Sequence, residues 1–193
     1  MPGRLFLTRA VAGFNDAPRL NIAPGQNVIT LTAGGAMYMR WGMIPVGRVN
    51  ARGRPVLETI VNARSETVFD KSAYADVKRA VVSVDGWYEW TGDRRRKQPW
   101  RITRKDGALS YFAAIYDVWR GPGGVEVPQV ATITCTPSAD VRDIHHRMAV
   151  ILEEDQLDQW FESDEDEARA LMLPYPDGRL VIQKADTVDW NST

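Results

Sequence analysis

Hydrophobic and polar positions alternate along much of the chain in short runs, a pattern that favours β-strands over long helices. Runs rich in β-branched and aromatic residues predict strands at Val28–Thr32, Ala36–Trp41, Ala80–Val84, Trp100–Thr103, Tyr111–Val118, Gln129–Thr134 and Val181–Lys184. Gly34 and Gly35 lie between the first two runs and indicate a hairpin. Gly121–Gly124 separates two later strands as a turn.

Helical patterns are weaker and short. We place helices at Ser65–Tyr74, with Asp76–Arg79 as a candidate extension, and at Pro137–Arg142, Glu153–Phe161 and Ser163–Leu171. The third of these begins with carboxylates, which stabilise the positive end of a helix. Many short strands with short helices between them predict an α+β fold, with a barrel-like, mostly antiparallel sheet as its core and short flanking helices.

Length and composition suit one domain, 1–193, with a single core, because 44% of the 193 residues are hydrophobic. The sequence has neither a signal pattern nor an apolar run near the ~20 residues of a membrane span, so we expect a cytoplasmic protein without membrane contact. Its one cysteine, Cys135, excludes an internal disulfide and is expected to be an inert, packed thiol. The formal charge of −1 does not by itself indicate a nucleic-acid partner. Basic residues concentrate before about residue 105, whereas Glu153–Glu167 is acidic.

Glu89 is a candidate proton-transfer residue because it lies between two aromatic side chains, Tyr88 and Trp90. On a strand it would face away from both neighbours. It is either a surface glutamate on an edge strand, or a partly desolvated carboxylate with a raised pKa that acts as a general acid or base.

The two histidines, His145 and His146, are adjacent, so an extended segment directs at most one of them into a given pocket. Arg147 follows them, and a neighbouring cation lowers the pKa of an imidazole and keeps it neutral. We expect neither a metal site nor a cofactor with so few ligands. Asn62 either caps the segment after it, or holds a substrate oxygen or an amine.

Three arginines and two tryptophans are candidate DNA contacts. Arg4, Arg64 and Arg147 are either surface charges or, if they converge, a phosphate cradle. Trp41 and Trp87 either pack in the core or, if exposed beside the arginines, stack on bases.

Several short blocks, in this order along the chain, resemble the SRAP (SOS response-associated peptidase) family. The resemblance runs from Met1 to about Leu152. It is carried by Gly3–Arg4, Asn21–Pro24, Trp41–Pro45, Asn62–Thr67, Asp85–Trp90, Lys97–Pro99 and His145–Met148.

The resemblance implies a monomeric, nucleoid-associated domain that binds single-stranded DNA and recessed-end junctions and senses abasic sites. In the family the second residue is normally a cysteine, exposed by removal of the initiator methionine. Its amine condenses with the sugar aldehyde, and its thiol closes a thiazolidine ring that crosslinks protein to DNA. The same resemblance gives Asn62, Glu89 and His145 the amide, acid–base and imidazole positions. It gives phosphate-binding positions to Arg4, Arg64 and Arg147.

The chain departs from the family pattern at Pro2, which has no thiol, and at Ala149, which replaces a proline. A thiazolidine cannot form at Pro2, but a secondary amine still forms an iminium with an aldehyde. That chemistry requires removal of Met1. We therefore expect abasic-site sensing with covalent attachment impaired or limited to transient iminium and lyase chemistry. The alternatives are a non-catalytic single-strand or DNA-end binding module, and a self-processing peptidase, which would need a cysteine at the amino terminus.

Overall fold

The computed structural model describes residues 2–44, 59–71, 74, 76–93 and 96–191. The strands in these ranges are β1 Arg4–Leu7, β2 Arg19–Ile22, β3 Asn27–Thr32, β4 Gly35–Trp41, β5 Asn62–Arg64, β6 Lys78–Val84, β7 Gly86–Thr91, β8 Gln98–Arg104, β9 Ser110–Arg120, β10 Glu126–Cys135, β11 Met148–Ala149, β12 Ile151–Leu152 and β13 Leu180–Lys184. The helices are α1 Leu157–Glu162 and α2 Glu165–Leu171, with single 3-10 turns at Pro122–Gly124 and Glu154–Gln156.

Five strands close into a barrel. Their order is β10-β4-β3-β6-β9, and β9 pairs with β10 to complete the ring. β10 is parallel to β4, and every other pair in the ring is antiparallel. On β6, Val81 and Val82 are both fully buried, so both faces of this strand are covered. The predicted α+β class and the mostly antiparallel sheet are confirmed.

A second antiparallel sheet, in the order β13-β8-β7-β1-β2, packs against the barrel. Leu5 and Trp87 on its inner face belong to the main core, where Trp87 meets Phe112 of β9 edge-on at 5.5 Å between ring centroids. Phe6 and Tyr88, the next residues on β1 and β7, form a separate cluster on the outer face. Successive side chains on these strands point to opposite faces of the sheet, so alternate residues join the main core and the outer cluster.

β9 and β10 separate beyond the Thr132–Ala114 pair, and the segment of β11 and β12 enters the gap. There Val150 donates its N–H to Ile133 O and accepts from Ala113 N–H, both at 2.9 Å. β5 runs parallel to β10 along its other edge. The Asn62 segment and the residues before β11 thus flank the same end of β10.

The predicted strands are all present, mostly longer than expected, whereas two predicted helices are wrong. Ser65–Asp70 forms successive turns, since Thr67 N–H bonds back only three residues to Arg64 O at 3.1 Å. The candidate extension is also wrong where Lys78 and Arg79 begin β6.

The predicted helix at Pro137–Arg142 is likewise absent, and turns span Ala139–Ile144. Side chains elsewhere hold these backbone groups: Asp177 accepts from Ala139 N–H at 2.7 Å. The helix predicted at Glu153–Phe161 starts later, as a 3-10 turn followed by α1. The sequence did not predict the strands β1, β2, β5, β11 and β12. Parts of the Ser65–Tyr74 stretch and of the Arg94–Lys97 loop lie outside the described residues.

None of the helices in the described ranges is long and apolar enough to cross a membrane.

Candidate functional site

The start of the chain is held by Asn62, on β5. Its Nδ2 donates to the carbonyl oxygen of Pro2 at 2.9 Å, and its Oδ1 accepts from the Thr132 hydroxyl at 2.6 Å. Because a carbonyl oxygen only accepts, the Pro2 contact fixes which end of the amide faces the chain start. Pro2 itself is buried.

The pairing of β1 with β7 brings Glu89 towards the same region. Arg4 lies opposite Tyr88, and Leu5 lies opposite Trp87, so β7 passes Glu89 alongside the beginning of β1. A Cβ at Gly86 would lie 2.0 Å from Ile102 O, so only glycine lets β7 approach β8 this closely. The strand prediction for Glu89 is confirmed, because it faces away from Tyr88 and its side chain is 3% exposed.

Burial is the largest influence on the Glu89 carboxyl and raises its pKa to about 7, from the ordinary value of 4.5 for a glutamate. The positive charge of the amino terminus acts in the opposite direction. A carboxyl with this pKa is divided between its acid and base forms near neutral pH, so it can both donate and accept a proton. The burial of Glu89 therefore favours the interpretation as a desolvated acid–base carboxyl over the interpretation as a surface glutamate.

His145 is neutral at physiological pH. Burial, first, and then the charge of the amino terminus lower its pKa to about 4. His145 Nδ1 lies 3.0 Å from the Arg147 backbone N–H nitrogen and 3.1 Å from the Arg147 carbonyl oxygen, so it accepts from the first in one tautomer and donates to the second in the other. His146 stacks on the ring at 4.3 Å between centroids. The expected neutral imidazole is confirmed, with burial rather than Arg147 as its main cause.

The amino-terminal charge acts on both Glu89 and His145, and the first peptide carbonyl of the described chain, that of Pro2, contacts Asn62. The amide, carboxyl and imidazole predicted from sequence are thus grouped around the chain start. A buried proton donor, a neutral N–H donor and an anchored backbone suit the addition of an amine to a carbonyl compound.

The three predicted phosphate ligands are not equivalent. Arg64 is exposed at the end of β5, and Arg4 is half-buried with Nη1 on Gly3 O at 2.9 Å. Arg147 is 8% exposed and is held by Glu66, so its guanidinium is already paired with a carboxylate. Arg64 is the arginine best placed for solvent-borne phosphate, and the assignment of Arg147 to an open phosphate cradle is corrected.

The predicted base-stacking role of Trp41 and Trp87 is also corrected. Both side chains are 0% exposed and belong to the main core. A base needs an open ring face to stack, and neither indole offers one. Both large rings fill space in the main core instead.

Two contributors were missed in the sequence, Glu66 and Thr132. Glu66 follows the Asn-Ala-Arg block by two positions. Its partner Arg147 is 81 residues away in sequence, so no local pattern predicts their contact. Thr132 cannot be told from an ordinary strand residue in the sequence. Only the register of β5 on β10, which sets it opposite Asn62, shows its role.

In the part of the chain that the structure describes, no three His, Cys, Asp or Glu side chains are grouped as a metal site. Cys135 is 2% exposed, and burial raises its thiol pKa to about 12. The expectation of a packed thiol is confirmed, and its lack of reactivity stays a prediction.

Comparison with known proteins connects this geometry to a family. The family model described as "SOS response associated peptidase (SRAP)" matches residues 6–188. The chain is 34% identical over 169 residues to the abasic site processing protein YoaM of Bacillus subtilis, covering 82% of this chain and 73% of that protein. It is 33% identical over 160 residues to the abasic site processing protein HMCES of Gallus gallus, covering 70% of this chain and 48% of that protein.

A crystal structure of a protein from Bacteroides thetaiotaomicron superposes with a TM-score of 0.76 at 23% identity, over 86% of this chain and 78% of that one. At this identity the likeness concerns the fold.

Proposed function

The chain belongs to the SOS response associated peptidase (SRAP) family, and from this premise we propose that it recognises abasic sites in single-stranded DNA and at recessed-end junctions. The observation that carries the proposal is the Asn62–Pro2 hydrogen bond, made beside a buried carboxyl and a neutral imidazole. The relatives named above are abasic site processing proteins, which supports the same substrate class.

The covalent step begins once Met1 is removed and the Pro2 nitrogen is a free secondary amine. The nitrogen adds to C1′ of the ring-opened sugar, forming an N–C bond and a carbinolamine. Loss of the hydroxyl as water gives an iminium cation. The iminium acidifies C2′, whose proton leaves to a base while the C3′–O bond breaks and the 3′ phosphate departs. Hydrolysis of the remaining iminium regenerates the amine.

Glu89 serves this sequence in both protonation states. Its acid form donates the proton that lets water leave, and its carboxylate form accepts the proton from C2′. His145 acts differently: we assign its neutral imidazole as a hydrogen-bonding group for a sugar or phosphate oxygen. Asn62 fixes the Pro2 carbonyl and so limits where the adjacent nitrogen can lie.

Pro2 sets the limit of the chemistry. A thiol at this position would add to the iminium carbon and close a stable ring, whereas proline has no second nucleophile. The adduct therefore stays reversible and ends in hydrolysis or in strand cleavage. Arg64, exposed at the end of β5, and Arg4 are the residues we assign to the DNA backbone.

The test is borohydride trapping on single-stranded DNA with one abasic site. Borohydride reduces an iminium to a stable amine, so the native protein should give a shifted band that Glu89→Gln weakens. Mass spectrometry of the amino terminus accompanies the assay. A protein that has lost Met1 and still gives no band above that of intact DNA contradicts the covalent proposal.

A second function, DNA binding without chemistry, is favoured by the burial of Pro2. It predicts salt-dependent binding that survives Glu89→Ala and His145→Ala but weakens in Arg64→Ala. The self-processing peptidase has less support, because the single cysteine is the buried Cys135 with a pKa near 12.

A further inference from the structure

Glu66 and Arg147 form a bidentate ion pair between two of the sequence blocks. Nη1 donates to Oε1 at 2.5 Å, and Nη2 donates to Oε2 at 2.9 Å. Glu66 is about half exposed, whereas the guanidinium is nearly buried. The Arg147 hydrogen bond, first, lowers the pKa of Glu66 to about 2, so this carboxylate is ionised at any ordinary pH.

The buried end of this pair is fixed on β10. Arg147 Nη2 also donates to the carbonyl oxygen of Thr134, which pairs with Ala149 of β11. Two planar hydrogen bonds to a carboxylate and one to a strand leave the Arg147 side chain a single orientation. An arginine held in this way also fixes its own backbone.

The Arg147 backbone in turn determines the state of His145. Its N–H nitrogen lies 3.0 Å from Nδ1 and its carbonyl oxygen 3.1 Å from Nδ1, so the position of this backbone decides whether Nδ1 accepts or donates. The contacts therefore run without a gap from Glu66 through Arg147 to the imidazole. Glu66 lies four residues after Asn62, in the turns that follow β5. One short segment therefore carries both the amide of Asn62 and the carboxylate that pairs with Arg147.

We propose that Glu66 is a positioning residue that, through Arg147, holds the tautomer and orientation of His145. An ordinary surface ion pair would contribute little and would affect no other group. The Glu66–Arg147 pair differs because the Arg147 side chain is buried and the Arg147 backbone contacts the imidazole of His145. The role of Glu66 in DNA processing rests on the proposed function, whereas its effect on His145 does not.

The experiment is nitrogen–proton long-range NMR of His145 in the free protein, which reads tautomer and pKa directly. The native protein should show a single tautomer and a pKa of about 4. In Glu66→Ala we expect a mixture of tautomers, because the Arg147 backbone beside Nδ1 is no longer held in one position. The groups that act on this ring are the amino terminus, His146 and Arg147, and none is removed by the substitution.

Glu66→Gln keeps the volume but loses the charge and one of the two hydrogen bonds. It should give a second tautomer and at least about tenfold faster exchange of the Arg147 amide proton, since the amide is less well held. This variant decides the question if Glu66→Ala does not fold.

Asp70→Asn is the matched control. Asp70 lies on the same turn and pairs with Arg169 at 2.6 Å, away from Arg147. It should leave tautomer, pKa and amide exchange unchanged. Native behaviour of His145 in a folded Glu66→Gln protein overturns the proposal. Borohydride trapping on abasic DNA tests the proposed function separately. If the native protein gives no adduct, the covalent function is contradicted, but the NMR experiment still decides whether Glu66 positions His145.

Discussion

Asn62 holds Pro2 across 60 positions of sequence, with 2.9 Å between its Nδ2 and the Pro2 carbonyl oxygen. The amide is held at its other end by the Thr132 hydroxyl on β10. A chain terminus normally frays, because few contacts oppose its conformational entropy. Here a strand of the barrel edge fixes it beside Glu89 and His145.

Asn62→Ala removes this anchor. We expect a loss of about 1 kcal/mol in the free energy of unfolding, typical of one hydrogen bond, measured by urea denaturation. We also expect a severalfold lower yield of borohydride-trapped adduct, since the amine is no longer placed. Thr132→Val frees the same amide to rotate and should lower adduct yield in the same direction. Native adduct yield in both variants contradicts the anchoring role.

Glu89→Gln should stabilise the protein at high pH. The folded-state pKa of about 7 lies above the ordinary value of 4.5, which the unfolded chain keeps. Between those values the native state holds a proton that the unfolded state has lost, so the free energy of unfolding falls as pH rises. Glutamine does not titrate, so the variant should gain about 3 kcal/mol over the native protein between pH 4 and pH 8.

The measurement is urea denaturation of both proteins at the two pH values. Glu126→Gln is the control: this exposed carboxylate pairs with Arg120 on the surface, and its removal should change stability by less than about 0.5 kcal/mol. A stability difference for Glu89→Gln that does not depend on pH would show that the carboxyl titrates normally.

Gly86→Ala should be strongly destabilising. Its Cβ would lie 2.0 Å from Ile102 O and 2.9 Å from the Phe6 ring, so β7 would have to move away from β8. We expect a loss of about 3 kcal/mol or more, read from the urea midpoint. Gly34→Ala is the control, because its Cβ would meet an ordinary contact at 3.7 Å. Equal stability of the two variants would contradict the close approach of β7 and β8.

Much of the fold can be predicted from the sequence because barrel strands carry a local signal. The β-branched run that forms most of β6 and the continuous apolar run at the start of β9 are visible in any short window. β1 could not be predicted, since Arg4–Leu7 is a strand only through its pairing with β7 and β2. The turns at Ser65–Asp70 were predicted as a helix for the same reason: a distant partner, Arg147, overrides weak local propensity.

The candidate site divides in the same manner. Asn62, Glu89 and His145 were recognised from blocks of residue types, and the structure groups them around the chain start. Burial was not predictable at single positions: Trp87 and Glu89 share one face of β7, yet the indole packs into the core and the carboxyl becomes a titrating group. Arg147 was misassigned because its pairing with Glu66 is a property of the folded chain.

Cys135 should be unreactive in the folded protein. Burial raises its thiol pKa to about 12, so the thiolate that reacts with alkylating agents is nearly absent at pH 8. Iodoacetamide should therefore add one group only after unfolding in urea, as read by mass spectrometry. Cys135→Ser should leave adduct formation on abasic DNA unchanged. Rapid alkylation of the native protein would contradict the packing of this thiol.

Pro2→Cys should convert a reversible adduct into a permanent one. After removal of Met1, the new amine forms the N–C bond to C1′ with loss of water, and the thiol then adds to the same carbon to close a five-membered ring. We expect a protein–DNA band that survives heating in detergent without borohydride, where the native protein gives none. Asn62 contacts only the backbone of residue 2, so the substitution keeps its hydrogen bond.

Pro2→Ser separates the thiol from the amine, because it supplies a primary amine beside a hydroxyl. Its adduct should again require borohydride, and Glu89→Gln in the Pro2→Cys background should slow formation of the stable band. If Pro2→Cys gives no more heat-stable product than Pro2→Ser, residue 2 does not reach the aldehyde, and the grouping of the carboxyl and imidazole around the chain start serves binding rather than covalent chemistry.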